Sequence, residues 1–241
     1  MRFNKAPIDA TWRPLIEQAL MTLPSSYLQW LEHEKDWLPG PSRIFQAFSL
    51  PLHRVNYILL GESPYPRAES ANGYAFWDAA VGEIWAEQGL SKSVNRATSL
   101  RNFIKMLLVA EGVLKGSQTM PSCIAALDKQ AYVSTLGALF ENMLDEGILL
   151  LNATLVLSSR KVTEEVKIWR PFMASLLQAV AQKKNNISLI LLGTQAKSIR
   201  EIAGCEKFRR ITAEHPYNLS FIENIDVLNL FRPLRLLNKR F

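Results

Sequence analysis

Short runs of nearly continuous apolar residues recur along this chain, separated by longer stretches that mix apolar and polar residues. Val55–Leu60, Ile148–Leu151 and Ile187–Leu192 are the clearest runs, and Arg209–Ala213 is a weaker one. Runs of this length and composition are typical of strands buried on both faces of a parallel sheet. The pattern therefore predicts four strands, each followed by a glycine or a polar residue.

In the longer stretches, apolar residues recur every three or four positions, as on the buried face of an amphipathic helix. The strongest case is Ser99–Glu111, and the other predicted helices are Trp12–Met21, Tyr27–Glu34, Ile44–Phe48, Tyr132–Asp145, Trp169–Gln182, Thr194–Ala203 and Val227–Lys239. Strands that alternate with helices predict an α/β fold, with a parallel sheet and helices on both faces. The chain shows no internal repeat or linker, so we expect one domain over residues 1–241.

The composition indicates which class of partner and which cellular compartment to expect. The chain has 28 basic and 22 acidic side chains, a formal net charge of +6, which favours a polyanionic partner such as DNA without establishing one. Cys123 and Cys205 have no metal-ligand or CxxC spacing, so we expect reduced thiols in a cytoplasmic protein, nucleoid-associated if bacterial. No apolar run approaches the ~18 residues of a membrane span, and no oligomerisation signal stands out, so we expect a soluble monomer.

The sequence lacks the motifs of several common kinds of functional site. The histidines are scattered (His33, His53 and His215), and no cluster of metal ligands is visible. Gly61–Pro66 lacks the glycine pattern of a dinucleotide loop and the lysine of a phosphate-binding P-loop, and Ser63 lacks the Gly-x-Ser-x-Gly elbow of a hydrolase. We therefore expect neither a metal nor a cofactor.

Candidate chemistry collects where the predicted strands end, the edge at which open α/β sheets bind ligands. Asn152 carries an amide that donates and accepts together, which suits the polar edge of a pyrimidine ring, although a strand-end asparagine also caps turns. Phe76 can stack on a base or fill the core. His215 can donate to an oxygen that gains negative charge, or serve a structural role. Taken singly, these residues leave both interpretations open.

Taken together and in order, the motifs resemble those of the uracil-DNA glycosylases. Gly61–Pro66 (GESPYP) followed by Asn72–Phe76 (NGYAF) is similar to the family pattern GQDPYH…HGLAF, with the same internal spacing. Four further segments are similar to the family motifs PPSLxN, LLLN(T/A)xLT, LWGSHA and HPSPLS, namely Ser99–Asn102, Leu149–Leu155, Leu192–Ala196 and His215–Ser220. The resemblance extends over most of the chain.

The resemblance implies a three-layer α/β/α sandwich around a four-stranded, mainly parallel sheet, and hydrolysis of the N-glycosidic bond of a uracil flipped out of DNA. By position, Phe76 would stack on the base, Asn152 would read its polar edge and Tyr65 would exclude the 5-methyl group of thymine. His215 would hydrogen-bond the departing O2. The backbone amides around Glu62 and Ser63 would help to hold the base.

The same resemblance implies a DNA-binding surface around that pocket. Its expected members are Ser99, Gly193, Thr194, Leu219 and Ser220. Leu219 would fill the space that the flipped base leaves in the stack, and the others would contact phosphates.

The chain departs from the family at the position that matters most for catalysis. Ser63 stands where the family has an aspartate that orients the attacking water and stabilises the cationic sugar. A serine can hold a water but brings no negative charge, and the loss of one preorganised electrostatic group typically costs ~10²–10³-fold in rate. Glu62 replaces the neighbouring glutamine, as either a substitute base or a residue that stabilises the loop.

Three functions therefore stay open at this stage. The first is a uracil-DNA glycosylase with reduced activity, in which Ser63 or Glu62 positions water and His215 stabilises the leaving group. The second is an inactive homologue that binds DNA or a partner protein through the inherited surface. The third is a glycosylase for another modified base, with Ser63 leaving extra room.

Overall fold

The computed structural model describes residues 3–34, 36–193 and 202–240. The strands are β1 Tyr57–Gly61, β2 Trp85–Ala86, β3 Gly89–Leu90, β4 Ile148–Asn152, β5 Ser188–Leu192 and β6 Arg209–Ala213. The α-helices are α1 Arg13–Leu20, α2 Ser25–His33, α3 Lys92–Arg96, α4 Thr98–Ala110, α5 Pro121–Ala125, α6 Leu136–Asp145, α7 Val162–Lys183 and α8 Ile225–Phe231.

Four of these strands form one parallel sheet, with the order β4-β1-β5-β6. β1 lies between β4 and β5 and pairs in parallel with both. Every residue of β4 is buried, as are all but the first of β1 and β5, because helices cover both faces of a parallel sheet. The predicted α/β fold with a four-stranded parallel sheet is confirmed.

The described residues divide into two compact units. The first contains residues 3–34, 36–78, 147–191 and 202–210, and its core includes the buried rings of Trp12, Phe48 and Trp169. The second contains residues 79–146, 192–193 and 211–240, and its core includes Phe103, Phe140 and Phe231. The expectation of a single domain stays a prediction.

A fully buried carboxylate organises part of the first unit. Tyr27 donates its hydroxyl to Glu165 at 2.6 Å and accepts from the Trp169 indole at 3.0 Å. Ser158 also donates to Glu165, and the Arg160 guanidinium lies 3.8 Å from the same carboxylate. Since Ser158 and Arg160 belong to the segment that follows β4, the network ties that segment to α2 and α7.

Two of the wrong helix boundaries have an identifiable local cause. The helix predicted from Tyr132 begins at Leu136, because the Thr135 hydroxyl accepts from the Ala138 amide and caps it there. The helix predicted to continue to Lys239 ends at Phe231, with one 3₁₀ turn over Arg232–Leu234 that contains a proline.

Other differences concern elements without a strong periodic signal. The helix predicted from Trp169 begins seven residues earlier, at Val162, and the predicted Ile44–Phe48 helix is a 3₁₀ turn over Gln46–Ser49. The hairpin of β2 and β3 and the short helices α3 and α5 were not predicted. Most of the predicted helix Thr194–Ala203 lies outside the described residues.

Two further findings concern possible partners. Among the described helices, none is long and apolar enough to cross a membrane. No group of three or more histidine, cysteine, aspartate or glutamate side chains that could hold a metal ion occurs in the described part of the chain.

The buried network predicts a stability effect. Tyr27→Phe removes the hydroxyl that donates to Glu165 and accepts from Trp169, so two buried polar groups each lose a partner. We expect the free energy of unfolding to fall by about 1–3 kcal/mol, measured by urea denaturation followed by tryptophan fluorescence. The matched control is Tyr57→Phe, because the half-buried Tyr57 hydroxyl makes no hydrogen bond within the described residues. A Tyr27→Phe protein as stable as this control would contradict the prediction.

Candidate active site

The site begins where β1 and β4 end. Gly61 lies opposite Asn152 in the register of the two strands. Backbone pairing continues one step further, because Ala153 N donates to Gly61 O at 2.9 Å and Thr154 N donates to Glu62 O at 3.0 Å. Ser63 is therefore the first residue beyond the paired backbone, and the strand pair holds the start of its loop.

The Asn152 side chain is held by a close approach of the β1 backbone. It is only 4% exposed, and a Cβ added to Gly61 would lie 2.5 Å from Asn152 Oδ1 and 3.0 Å from Ala75 Cβ. Within the described ranges, the Asn152 amide makes no hydrogen bond of its own. An amide without an internal hydrogen bond has both its donor and its acceptor available to a ligand.

Phe76 and Tyr65 lie next to each other in the same part of the first unit. The Tyr65 hydroxyl donates to Phe76 O at 3.0 Å, and Ala75 N donates to Leu150 O of β4 at 3.1 Å. Phe76 has a φ of +63°, a left-handed conformation that is strained for a residue with a side chain, and it is only partly buried. A partly exposed aromatic residue in a strained backbone conformation is a candidate for a functional role.

An ion pair closes the loop that carries Tyr65. Arg67 lies 3.2 Å from the buried carboxylate of Asp78, and an isolated antiparallel bridge joins Ala71 to Asp78. Burial, with a smaller contribution from the Asp78 charge, raises the pKa of Tyr65 to about 12. Tyr65 therefore keeps its proton and remains a donor to the Phe76 carbonyl at physiological pH.

Ser63 and Glu62 are both half-buried. The Glu62 carbonyl is committed to the backbone pairing with Thr154, which limits the freedom of its main chain. The catalytic roles expected for Ser63 and Glu62 stay predictions, and so do the base-binding roles of Tyr65, Phe76 and Asn152.

His215 lies two positions after the end of β6, in the second unit. Its Nδ1 accepts a hydrogen bond from the Tyr217 backbone amide at 3.1 Å, so the neutral ring carries its proton on Nε2. Gly193 has a φ of +75° and lies so close that an added Cβ would be 2.8 Å from His215 Cβ. Burial lowers the pKa of His215 from its ordinary value of 6.5. The imidazole is thus a neutral donor through Nε2.

The loop after His215 is braced by a buried amide of α4. Asn102 is fully buried, and its Nδ2 donates to Pro216 O at 2.8 Å and to Tyr217 O at 3.3 Å. At the other end of the loop, Asn224 donates to the Glu214 carboxylate at 2.7 Å. The backbone between these braces is fixed, whereas the Leu219 side chain is 71% exposed.

The structure places the remaining expected DNA contacts as follows. Ser99 is half-buried in the first turn of α4, and Ser220 is exposed in the 3₁₀ turn that starts at Leu219. Thr194 lies outside the described residues. The DNA-binding roles of Ser99, Gly193, Thr194, Leu219 and Ser220 stay predictions.

Within the first unit, the structure brings Tyr65, Phe76 and Asn152 together through Gly61 and Ala75. Sequence reasoning assigned no supporting role to Asn102, although it closes the Ser99–Asn102 motif, or to Asp78. Asn102 carried a signal, because it is a polar residue on the apolar face of a strongly patterned helix. Asp78 carried none, because a carboxylate in a loop gives no indication of its cation until the fold is known.

The environment of His215 predicts an unusual titration. Because burial disfavours the imidazolium, we expect His215 to stay neutral below pH 6.5, with the proton on Nε2 and Nδ1 unprotonated. Long-range ¹H–¹⁵N NMR spectra recorded across pH 4.5–8 would report both properties, with His215→Gln assigning the signal. An apparent pKa above 6.5, or a proton on Nδ1 in the neutral ring, would contradict this description.

Comparison with known proteins identifies the family. The crystal structure of wild-type UNG from Nitratifractor salsuginis is 44% identical in sequence, with a TM-score of 0.92, and the match covers 97% of this chain and 94% of that chain. Among curated proteins, the uracil-DNA glycosylase of Azobacteroides pseudotrichonymphae is 27% identical over 180 residues, which are 74% of this chain and 68% of the relative.

The uracil-DNA glycosylase of Campylobacter fetus is 24% identical over 225 residues, which are 90% of this chain and 82% of the relative. No family model matches the sequence. The likeness to the Nitratifractor structure covers nearly the whole of both chains at an identity far above chance. This chain belongs to the uracil-DNA glycosylase superfamily.

Proposed function

We propose that this protein is a DNA glycosylase that excises uracil and works without a catalytic aspartate. The observation that carries the proposal is the Asn152 amide, which makes no hydrogen bond within the described residues and is held by the close approach of Gly61, in the part of the first unit that also contains Tyr65 and Phe76. Membership of the uracil-DNA glycosylase superfamily supplies uracil in DNA as the substrate class.

Each pocket residue has a defined role in base recognition. Asn152 donates and accepts at once, which matches the adjacent carbonyl and imino groups on the polar edge of uracil. Phe76 offers the face of its ring for stacking on the flipped base. Tyr65 excludes the 5-methyl group of thymine, and its hydrogen bond to the Phe76 carbonyl holds its ring in place.

His215 stabilises the leaving group. As the bond between C1′ and N1 breaks, its electron pair stays on the uracil ring and negative charge grows on O2. A neutral imidazole donates Nε2–H to that oxygen. Water then bonds to C1′, its proton passes to the uracil anion or to solvent, and the products are free uracil and an abasic sugar.

Ser63 is the reason to expect a slow enzyme. It lies just past the end of the β1–β4 pairing and can accept a hydrogen bond from a water, but it cannot stabilise the cationic sugar by charge. The missing carboxylate corresponds to ~10²–10³-fold in rate. The Glu62 side chain is the second candidate for positioning the water, since it is adjacent and half-buried.

The central test is excision of uracil by wild type and two variants. Excess protein is incubated with a labelled oligonucleotide that carries one uracil, and abasic sites are measured over hours. We expect slow excision by wild type, loss of at least tenfold in Asn152→Ala, and acceleration of about 10²-fold in Ser63→Asp, which restores the carboxylate.

The other outcomes identify the rival functions. Excision by Ser63→Asp alone would mean a pocket that binds uracil without chemistry, which favours a binding role. If neither wild type nor Ser63→Asp excises uracil, uracil is rejected as the substrate, and oligonucleotides with other modified bases would be tested next. Glu62→Gln separates the two candidates for positioning water, because unchanged excision would exclude the Glu62 carboxylate.

The close approach of Gly61 to Asn152 predicts a second effect on activity. In Gly61→Ala, the new methyl group would collide with Asn152 Oδ1 and with Ala75, so the amide must move from its recognition position. We expect excision to fall by at least tenfold, because an error of this size in positioning typically costs up to about 10²-fold. The matched control is Gly82→Ala, where an added Cβ meets nothing within 4 Å. Equal rates for the two variants would show that Gly61 does not position Asn152.

A further inference from the structure

Two large side chains are exposed on the braced loop that follows His215. Leu219 is 71% exposed and Tyr217 is 67% exposed. Within the described residues, the Tyr217 ring stacks on no other aromatic ring, and its hydroxyl makes no hydrogen bond. Large apolar groups exposed together on a rigid segment are typical of a binding surface.

The backbone that carries Tyr217 is fixed from several directions. Its amide donates to His215 Nδ1, and its carbonyl accepts from Asn102. Asn218 N donates to His215 O at 2.9 Å, and the buried Phe221 ring stacks on Phe103 with centroids 6.3 Å apart. Tyr217 is therefore exposed on a loop whose backbone is held by hydrogen bonds.

Tyr217 and Leu219 are two positions apart on this loop. Asn218 N donates to His215 O across the turn that carries Tyr217, and Leu219 begins the 3₁₀ turn that follows. Two residues span at most about 7 Å of chain, and successive bases in one DNA strand lie about 3.4 Å apart, so the two side chains lie within reach of neighbouring bases.

We propose that Tyr217 is a second wedge, which stacks its ring on the base next to the gap that Leu219 fills in duplex DNA. The inference rests on the proposed function and deepens it, because it assigns a preference for double-stranded substrate. An aromatic ring stacks on any base, so the contact is independent of sequence.

The chemistry around the loop fits a nucleic acid as the occupant. α4, which supplies the brace Asn102, also carries the basic residues Arg101 and Lys105. The chain as a whole carries a net charge of +6. Basic residues on the helix that braces the loop, together with exposed aromatic and aliphatic groups on the loop itself, suit phosphates and bases better than an apolar protein surface.

The test compares duplex and single-stranded substrates of one sequence. Single-turnover excision of uracil is measured for wild type, Tyr217→Ser and Tyr217→Phe; serine is the residue that the family pattern HPSPLS has at this place. We expect Tyr217→Ser to lose about tenfold on the duplex, the lower part of the range for one stacked base, and less than about threefold on the single strand. Tyr217→Phe keeps the ring and is expected to retain the preference for the duplex.

A second readout reports the contact itself. With 2-aminopurine next to the uracil, stacking on Tyr217 should quench its fluorescence in wild type and in Tyr217→Phe but not in Tyr217→Ser. The matched control is Met120→Ser, which removes another exposed apolar side chain of the second unit and is expected to change neither rate. Equal losses on both substrates, or no loss on the duplex, would overturn the inference.

Failure of the proposed function can be told apart from failure of this inference. If wild type excises no uracil, fluorescence anisotropy measures binding to a duplex that contains a tetrahydrofuran abasic-site analogue. If Tyr217 is a wedge, Tyr217→Ser should bind that duplex about tenfold more weakly than wild type does. Its loss of affinity for an unmodified duplex should be smaller. Unchanged affinity for the abasic duplex would reject the wedge independently of catalysis.

Discussion

The pairing of β1 with β4 is the constraint on which the site depends. Gly61 and Asn152 are opposite each other, and the absence of a side chain at Gly61 lets the amide of Asn152 lie against the β1 backbone. The same strand ends orient the Ser63 loop on one side and the Thr154 segment on the other. A shift of register by one residue would turn every side chain of β4 to the opposite face and move the Asn152 amide away from Gly61.

Much of this arrangement can be read from the sequence because buried parallel strands have a strong signal. The four apolar runs match the four sheet strands to within two residues at each end, and the helix at Ser99–Glu111 differs by one. Errors arise where local chemistry overrides periodicity. Thr135 caps a helix that the apolar pattern starts earlier, and the proline after Arg232 ends one that the pattern continues.

In the candidate site, too, some residues can be recognised from the local sequence, whereas their contacts are known only from the fold. Residues with intrinsic chemistry, such as Asn152 and His215, can be nominated from their position after a strand. Their supporting contacts cannot: Asn102 stands out as a polar residue on an apolar helix face, but its partner Pro216 is more than a hundred positions away in the chain, and the two meet only through folding. The tautomer of His215 is likewise set by a backbone amide, and main-chain donors leave no mark in a sequence.

Because a backbone amide sets the His215 tautomer, the tautomer does not depend on which side chain the loop exposes at position 217. The group that sets the imidazole tautomer is the amide of residue 217, which nearly every amino acid possesses, whereas the group exposed beside Leu219 is the side chain of the same residue. Evolution can therefore exchange serine for tyrosine at this position without disturbing proton placement on the histidine. Proline alone lacks the necessary N–H, so a proline at position 217 would change the exposed side chain and the hydrogen bond to His215 together. With the roles proposed above, affinity for DNA structure can drift at this loop while the chemistry of the leaving group is preserved.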